Sequence, residues 1–321
     1  MSTPPTSNWQ RWIEHPQRLR FRKIIFQLHL WCGLALGLYI FFISITGSVL
    51  VYRNELYVAT TPDPEISSSS APLLSDDELL AQVLLNYPDY EPSRFYRPGG
   101  ETAAVEIWLD KDGESVRRFY DPRTAEDLGS AQRRAQGLVI ALIELHESFL
   151  LGPTGRTLNG FGGLAVIMLV LSGLIIWWPG IKRWRRSLFY QRQLNIKWKR
   201  QIWDIHSMAG IWCAGFILVF AFSGVYLCFP NVFHDFVDRL QPPTPENAGE
   251  RLYDRLLYWL AFLHFGRING IGLVCDGPGL CDQSIKALWA TAGLAPAVMF
   301  VTGATMWWNR VLSRWLKNKQ D

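Results

Sequence analysis

The chain has 321 residues, 49% of them hydrophobic and 14% aromatic, and a formal net charge of +4. Apolar content gathered into long runs excludes a disordered chain and places it among membrane proteins, and five cysteines are too few for a disulfide scaffold. The positive charge lies in blocks beside those runs, Arg18 to Lys23, Lys182 to Arg200 and Arg310 to Lys319, so membrane topology accounts for it and no nucleic acid is expected as partner.

Residues 1–23 form a polar tail. Residues 24–52 are the first expected transmembrane helix, long enough to cross a hydrocarbon core of roughly 30 Å and without a cleavage site, hence an uncleaved anchor. Residues 53–134 are acidic and read as a soluble domain. In it Ser75-Asp-Asp-Glu78 is a capping box ahead of the helix Leu79 to Asn86. Ala104 to Leu109 and Ser115 to Tyr120 alternate and flank a turn with Asp112-Gly113, a hairpin. Asp121-Pro-Arg-Thr-Ala-Glu-Asp-Leu-Gly129 gives a second turn and a short strand. A helix and loop, 135–160, carry His146. Then come a span at 161–178, a basic loop at 179–201, a span at 202–229, a segment at 230–284 carrying His264, a span at 285–308 and a tail at 309–321. The basic blocks put both termini and the 179–201 loop in the cytoplasm and the soluble domain outside. Cys32, Cys213 and Cys228 fall in spans and read as packing residues; Cys275 and Cys281 flank an outside loop, where a local disulfide is favoured.

The chain repeats one plan twice. His29 and His206 each lie six residues past a basic flank, with a glycine four residues on (Gly33, Gly210) and another eighteen on (Gly47, Gly224), preceded by Thr46 and Ser223. Eighteen residues are about five turns at 3.6 per turn, so histidine and distal glycine fall on one face of a straight helix. His146 and His264 recur in the outside segments, followed by Arg156 and Arg267, and each copy ends in Ser/Thr-Gly-x-x-x-Trp-Trp, Ser172 to Trp178 and Thr302 to Trp308. Ser172 and Thr302 read here as marks of close helix contact, and the tryptophans as an interfacial belt.

Ionisable residues within a span call for a function. Two imidazoles at matched depth suit the two axial positions of a haem, with glycines letting a flat macrocycle approach the backbone. The four histidines are therefore the candidate metal ligands, and Gly33, Gly210, Gly47 and Gly224 complete the candidate cofactor site. Zinc or bare iron would call for carboxylates or cysteines close by, and no HExxH or CxxC motif occurs. Without CxxCH, a haem would be of b type, and bis-histidine ligation suits electron transfer. Arg156 and Arg267 are candidates for bidentate pairing with haem propionates.

Leu28-His29 to Gly33, Ser172-Gly173 to Trp178 and the Asp121-Pro-Arg-Thr to Leu128-Gly129 hairpin together resemble the PepSY-associated transmembrane family, over nearly the whole chain from Phe21 to Trp315. The closest likeness within it is to inner-membrane ferric-siderophore reductases. The resemblance implies an α-helical membrane fold of four transmembrane helices from a tandem duplication, with a small α+β PepSY-like periplasmic domain inserted after the first helix. It implies two haem b groups on His29, His206, His146 and His264. The implied place is the bacterial inner membrane, in contact with lipid, where electrons from a quinol or a cytoplasmic reductase reduce a periplasmic ferric siderophore and release Fe(II) for uptake. Ala125 stands where the hairpin motif commonly has glycine, which bears on that turn alone. A quinol-linked cytochrome b with another acceptor, and a non-redox permease or sensor with a periplasmic binding domain, are the alternatives from other classes.

Overall fold

The structure, a computed structural model, describes residues 12–14, 16–60, 64, 66, 71–97, 103–112, 114–131, 134–189, 197–242, 244, 251–266 and 279–312. It divides into two compact units, one of Tyr52–Leu142 and the other of Met1–Val51 with Ile143–Asp321.

Helices α1 (Arg20–Ala35) and α2 (Gly37–Leu50) occupy the expected first span but meet at 62°. No proline sits at the bend. Leu36 relaxes to φ −93°, ψ −3°, and the ring of Phe300 takes the space that a Cβ on Gly37 would need, so an aromatic wedge on bare backbone accounts for the kink. This corrects the straight-helix reading of the His29 and Gly47 spacing: in the first copy the two residues lie on different segments. In the second copy His206 and Gly224 do share one unbroken helix.

The Tyr52–Leu142 unit holds α3 (Arg53–Thr60), α4 (Asp76–Asn86) and a four-stranded antiparallel meander, β1 (Glu91–Tyr96), β2 (Val105–Lys111), β3 (Glu114–Tyr120) and β4 (Asp127–Ser130). The capping box forms as expected: Ser75 Oγ accepts from the Glu78 amide, and the Glu78 carboxylate accepts from the Ser75 amide at 2.8 Å. Alternation sets the faces of β2. Val105, Ile107 and Leu109 are fully buried with Leu79, Val83 and Tyr120, while Trp108 on the other face lies 3.7 Å from the Arg117 guanidinium and donates to Glu106 Oε1 at 2.8 Å. In the second turn the buried Asp121 carboxylate accepts from the amides of Arg123 and Thr124, at 2.8 and 3.3 Å. Ala125, at φ 54°, holds the left-handed conformation that a glycine would take without cost. Gly113 of the hairpin turn lies outside the described residues.

Helix α5 (Arg134–Ser148) crosses the boundary between units and brings His146 into the larger one. Phe149 and Leu150, at φ 52° and 61°, then reverse the chain into α6 (Gly152–Trp177), which begins ahead of the expected Phe161. After α7 (Trp184–Ser187) come α8 (Trp198–Cys228), α9 (Pro230–Leu240), α10 (Leu252–His264) and α11 (Leu280–Trp307), the last continuing as a π turn, Trp308–Leu312. Helices α6, α8 and α11 are each long and apolar enough to cross a membrane, and the bent α1–α2 pair makes a fourth if counted as one span. The bundle is apolar outside and small or hydroxylic inside. Leu38, Phe161, Met168 and Phe222 are exposed, whereas Ser44, Thr46, Ser48, Ser223, Ala221, Ala297 and Thr302 are buried, the pattern of helices that pack against each other within lipid. Ser44 shows how: its Oγ donates to Gly293 O at 2.5 Å and accepts from the Ala297 amide at 3.1 Å, stitching α2 to α11 beside Pro296. Cys281 is disulfide-bonded; Cys275, its expected partner, lies outside the described residues.

Candidate functional site

Each of the four sequence-matched histidines meets a Ser-Gly or Thr-Gly pair on a neighbouring helix. On α1, His29 Nδ1 is 2.9 Å from Ser172 Oγ of α6. On α8, His206 Nδ1 is 3.0 Å from both Thr302 Oγ1 and Met299 O of α11. On α5, His146 Nδ1 is 3.1 Å from Thr46 Oγ1 of α2. On α10, His264 Nδ1 is 2.7 Å from Ser223 Oγ of α8. The paired glycine leaves room for the ring. An added Cβ would lie 3.3 Å from His29 Cε1 at Gly173, 3.3 Å from His206 Cε1 at Gly303, 2.7 Å from His146 Cε1 at Gly47 and 3.7 Å from His264 Cε1 at Gly224.

The hydroxyls decide the tautomer. A Ser or Thr hydroxyl has one hydrogen to give, and each of these gives it to its own helix: Thr46 to Phe42 O at 2.7 Å, Ser172 to Leu169 O at 2.9 Å, Ser223 to Val219 O at 2.5 Å and Thr302 to Val298 O at 2.7 Å. Towards the imidazole each oxygen therefore accepts, so the ring proton sits on Nδ1. Nε2 keeps its lone pair in all four residues, the form in which histidine binds a metal.

The sites form two levels. His146 and His264 face one another with ring centres 6.3 Å apart, while His29 and His206 lie within electrostatic reach of each other nearer the basic ends of the helices. Burial, with His146 close by, lowers His264 to about 4, and burial lowers His146 as well. Both are neutral at pH 7, as ligation requires. Among the described residues no three His, Cys, Asp or Glu side chains gather as a metal site. A pair of imidazoles at each level is a donor set that would fit a haem.

Further residues fix the two far histidines. Asn159 Nδ2 donates to His146 O at 2.9 Å and to Glu147 O at 3.1 Å, and Tyr39 Oη donates to Asn159 Oδ1 at 2.9 Å. In the second copy Trp289 Nε1 does the equivalent work, donating to Leu263 O at 2.7 Å. Of the remaining candidates, Gly33 and Gly210 meet side chains of other helices, Leu169 and Met299, instead of an imidazole. Arg156 donates from Nη2 to Leu227 O at 2.6 Å, at the end of α8. Arg267 lies outside the described residues.

The sequence profile of the PepSY-associated TM region matches residues 26–251 and 241–310 of the chain. An uncharacterized protein of Pseudomonas aeruginosa is 29% identical over 132 residues, a match that covers 36% of this chain and 32% of that protein. The chain thus spans about a third of the length of the curated relative it matches.

Proposed function

We propose, for a chain that belongs to the PepSY-associated TM family and so is a membrane protein, that it is a di-haem b reductase, with one haem held by His29 and His206 and the other by His146 and His264. The observation that carries this reading is the fourfold repetition of one device: a partly buried imidazole whose Nδ1 proton is accepted by a Ser or Thr hydroxyl and whose Nε2 has no hydrogen-bond partner among the described residues. A haem held by each pair would supply a one-electron couple, which suits electron transfer.

The chain's own part is to hold and insulate. The hydroxyls fix ring tautomer and orientation, the glycines let the rings seat against backbone, and Asn159 and Trp289 anchor the helix ends that bear His146 and His264. Read with the positive-inside rule, the basic blocks give four spans in a bacterial inner membrane, with both termini cytoplasmic and the soluble domain periplasmic. In that setting His29 and His206 would hold the haem nearer the donor, a quinol or a cytoplasmic reductase, and His146 and His264 the haem nearer the periplasmic acceptor. The acceptor is a periplasmic ferric siderophore, whose hard oxygen ligands hold Fe(III) far better than Fe(II), so reduction releases the metal for uptake. The test is His264→Ala. It is expected to halve the haem content and abolish reduction of a ferric hydroxamate; full haem content with unchanged reduction would overturn the assignment.

A further inference from the structure

Pro230, the first residue of α9, follows directly on Phe229, the cap of α8, and proline in that place starts a new helix instead of continuing the old one. The faces of α9 differ sharply. Val232, Phe236 and Leu240 recur every fourth residue, so they share a face, and they are 64%, 61% and 53% exposed. Phe233 and Val237 turn towards the protein, where Val237 is buried. Asn231, His234, Asp235 and Arg239 are exposed and make up the polar remainder.

The bare apolar face is held at both ends of the helix. Near its start the Phe233 ring lies 5.7 Å from Phe222 and 5.3 Å from Tyr226, both on α8. At its far end the buried Arg251 clasps α9 to α10. Arg251 Nη1 donates to Asp238 Oδ1 at 2.6 Å and to Gln241 O at 3.0 Å, while Nε and Nη2 donate to the two oxygens of Asp254 at 2.6 and 2.7 Å. The outward aim of Val232, Phe236 and Leu240 is therefore fixed by the fold. The contacts with α8 also set the depth of α9. Helix α8 is long and apolar enough to cross a membrane and ends at Cys228. Phe222 lies six residues inside that end and Tyr226 two, about 9 and 3 Å along the axis at 1.5 Å per residue. Phe222 is exposed on the outside of the bundle, the surface that meets lipid, and Phe233 rests against it. An amphipathic helix lying along a membrane sinks its apolar side roughly 5–10 Å into the boundary between headgroups and acyl chains, a depth that agrees with both contacts.

We infer that α9 is an interfacial helix, seated in the leaflet at the end of α8 remote from the basic loop, with Val232, Phe236 and Leu240 among phospholipid acyl chains and Asn231 and His234 towards water. A stable protein partner covers about 800 Å² on each side, more than three side chains of an 11-residue helix present, whereas lipid needs only to continue from Phe222. Through the Arg251 clasp the seat extends to α10, whose last residue is His264. None of these contacts involves a haem, so the seat stands whether or not the two-haem reading holds.

The test is photocrosslinking of the full chain in nanodiscs of phosphatidylethanolamine and phosphatidylglycerol. The crosslinking residue p-benzoylphenylalanine replaces Phe236 or Leu240 in the apolar face, and Asn231 or His234 in the polar one. All four positions are exposed, so each accepts the larger ring, and gel filtration confirms a single species. After irradiation, intact-mass spectra are expected to show a phospholipid adduct at 236 and 240 at least ten times as abundant as at 231 and 234. Equal adducts at all four positions, or none at 236 and 240, would overturn the seat. A covalent dimer would overturn it by placing a second copy on the face, and an internal crosslink to the Tyr52–Leu142 unit would overturn it by placing that unit there.

Discussion

Replacing Ser223 by alanine removes a single oxygen, but that oxygen joins three groups. It accepts from His264 Nδ1 at 2.7 Å and donates to Val219 O at 2.5 Å. In Ser223→Ala the carbonyl keeps its helical amide, whereas the Nδ1 proton, which points at a fully buried position, loses its acceptor. An unsatisfied buried donor costs about 1–3 kcal/mol, and the freed ring can rotate away from the orientation that presents Nε2. Converted at about 1.4 kcal/mol per decade, this is a loss of roughly 5- to 150-fold in affinity at the His146 and His264 level, in line with the 10- to 100-fold typical of groups that hold metal-bound histidines. The assay is haem titration into the haem-depleted protein, followed by absorbance, with the low-spin ferric resonance as a second signal. Ser223→Thr keeps the hydroxyl and should bind as the parent does. Parental affinity and an unaltered resonance in Ser223→Ala would refute the tautomer argument.

The glycines make an uneven pair. Gly47→Ala puts a methyl 2.7 Å from His146 Cε1 and is expected to displace the ring and empty that level, whereas Gly224→Ala, at 3.7 Å from His264 Cε1, makes ordinary contact and should retain haem; haem per chain separates the two. Hydrogen bonds from Ser75 hold the Glu78 carboxyl below its ordinary value. The capping box therefore stabilises α4 fully above that ordinary value and is lost as pH falls through the lowered one. Amide exchange in the first turn of α4 should rise about fivefold in Ser75→Ala at pH 7, and the difference from the parent should vanish in acid. Ala125→Gly removes a left-handed alanine that costs about 1–2 kcal/mol, partly offset by about 0.5–1 kcal/mol of added chain entropy. A small gain in stability of the Tyr52–Leu142 unit, read from exchange of its core strands, is expected; a loss would show that the alanine methyl matters more than the backbone. Leu79→Ala in the same unit, at a fully buried position, should cost about 2–5 kcal/mol.

Much of this was legible in the residues because duplication prints the plan twice. Four histidines in two matched pairs, the capping box at Ser75, the hairpin with Asp112 at its turn and the small hydroxylic residues of the spans all follow from spacing and residue type. The bend at Leu36 was not legible. It depends on Phe300, far away in sequence, seating on Gly37, and a window of apolar residues carries no trace of that contact. Strand β1 was also missed, since Glu91 to Tyr96 breaks its alternation with a bulge at Pro92 and Arg94 and leaves only Phe95 partly buried. At the candidate site the signal was present but read in pieces, Gly47 and Gly224 as cofactor contacts and Ser172 and Thr302 as marks of close helix contact. Thr46-Gly47, Ser172-Gly173, Ser223-Gly224 and Thr302-Gly303 number one per histidine, and the distances show the task they share. Asn159 and Trp289, which do equivalent work with different chemistry, have no common motif to find.

The measurement that tests the central claim most directly is the visible spectrum of the detergent-purified protein from haem-replete cells, oxidised and then reduced with dithionite, with haem counted per chain. Two pairs of axial histidines predict about two haems per chain and a sharp α-band on reduction. A colourless preparation would contradict the account and shift the four imidazoles to another task, such as a proton relay in a permease or sensor.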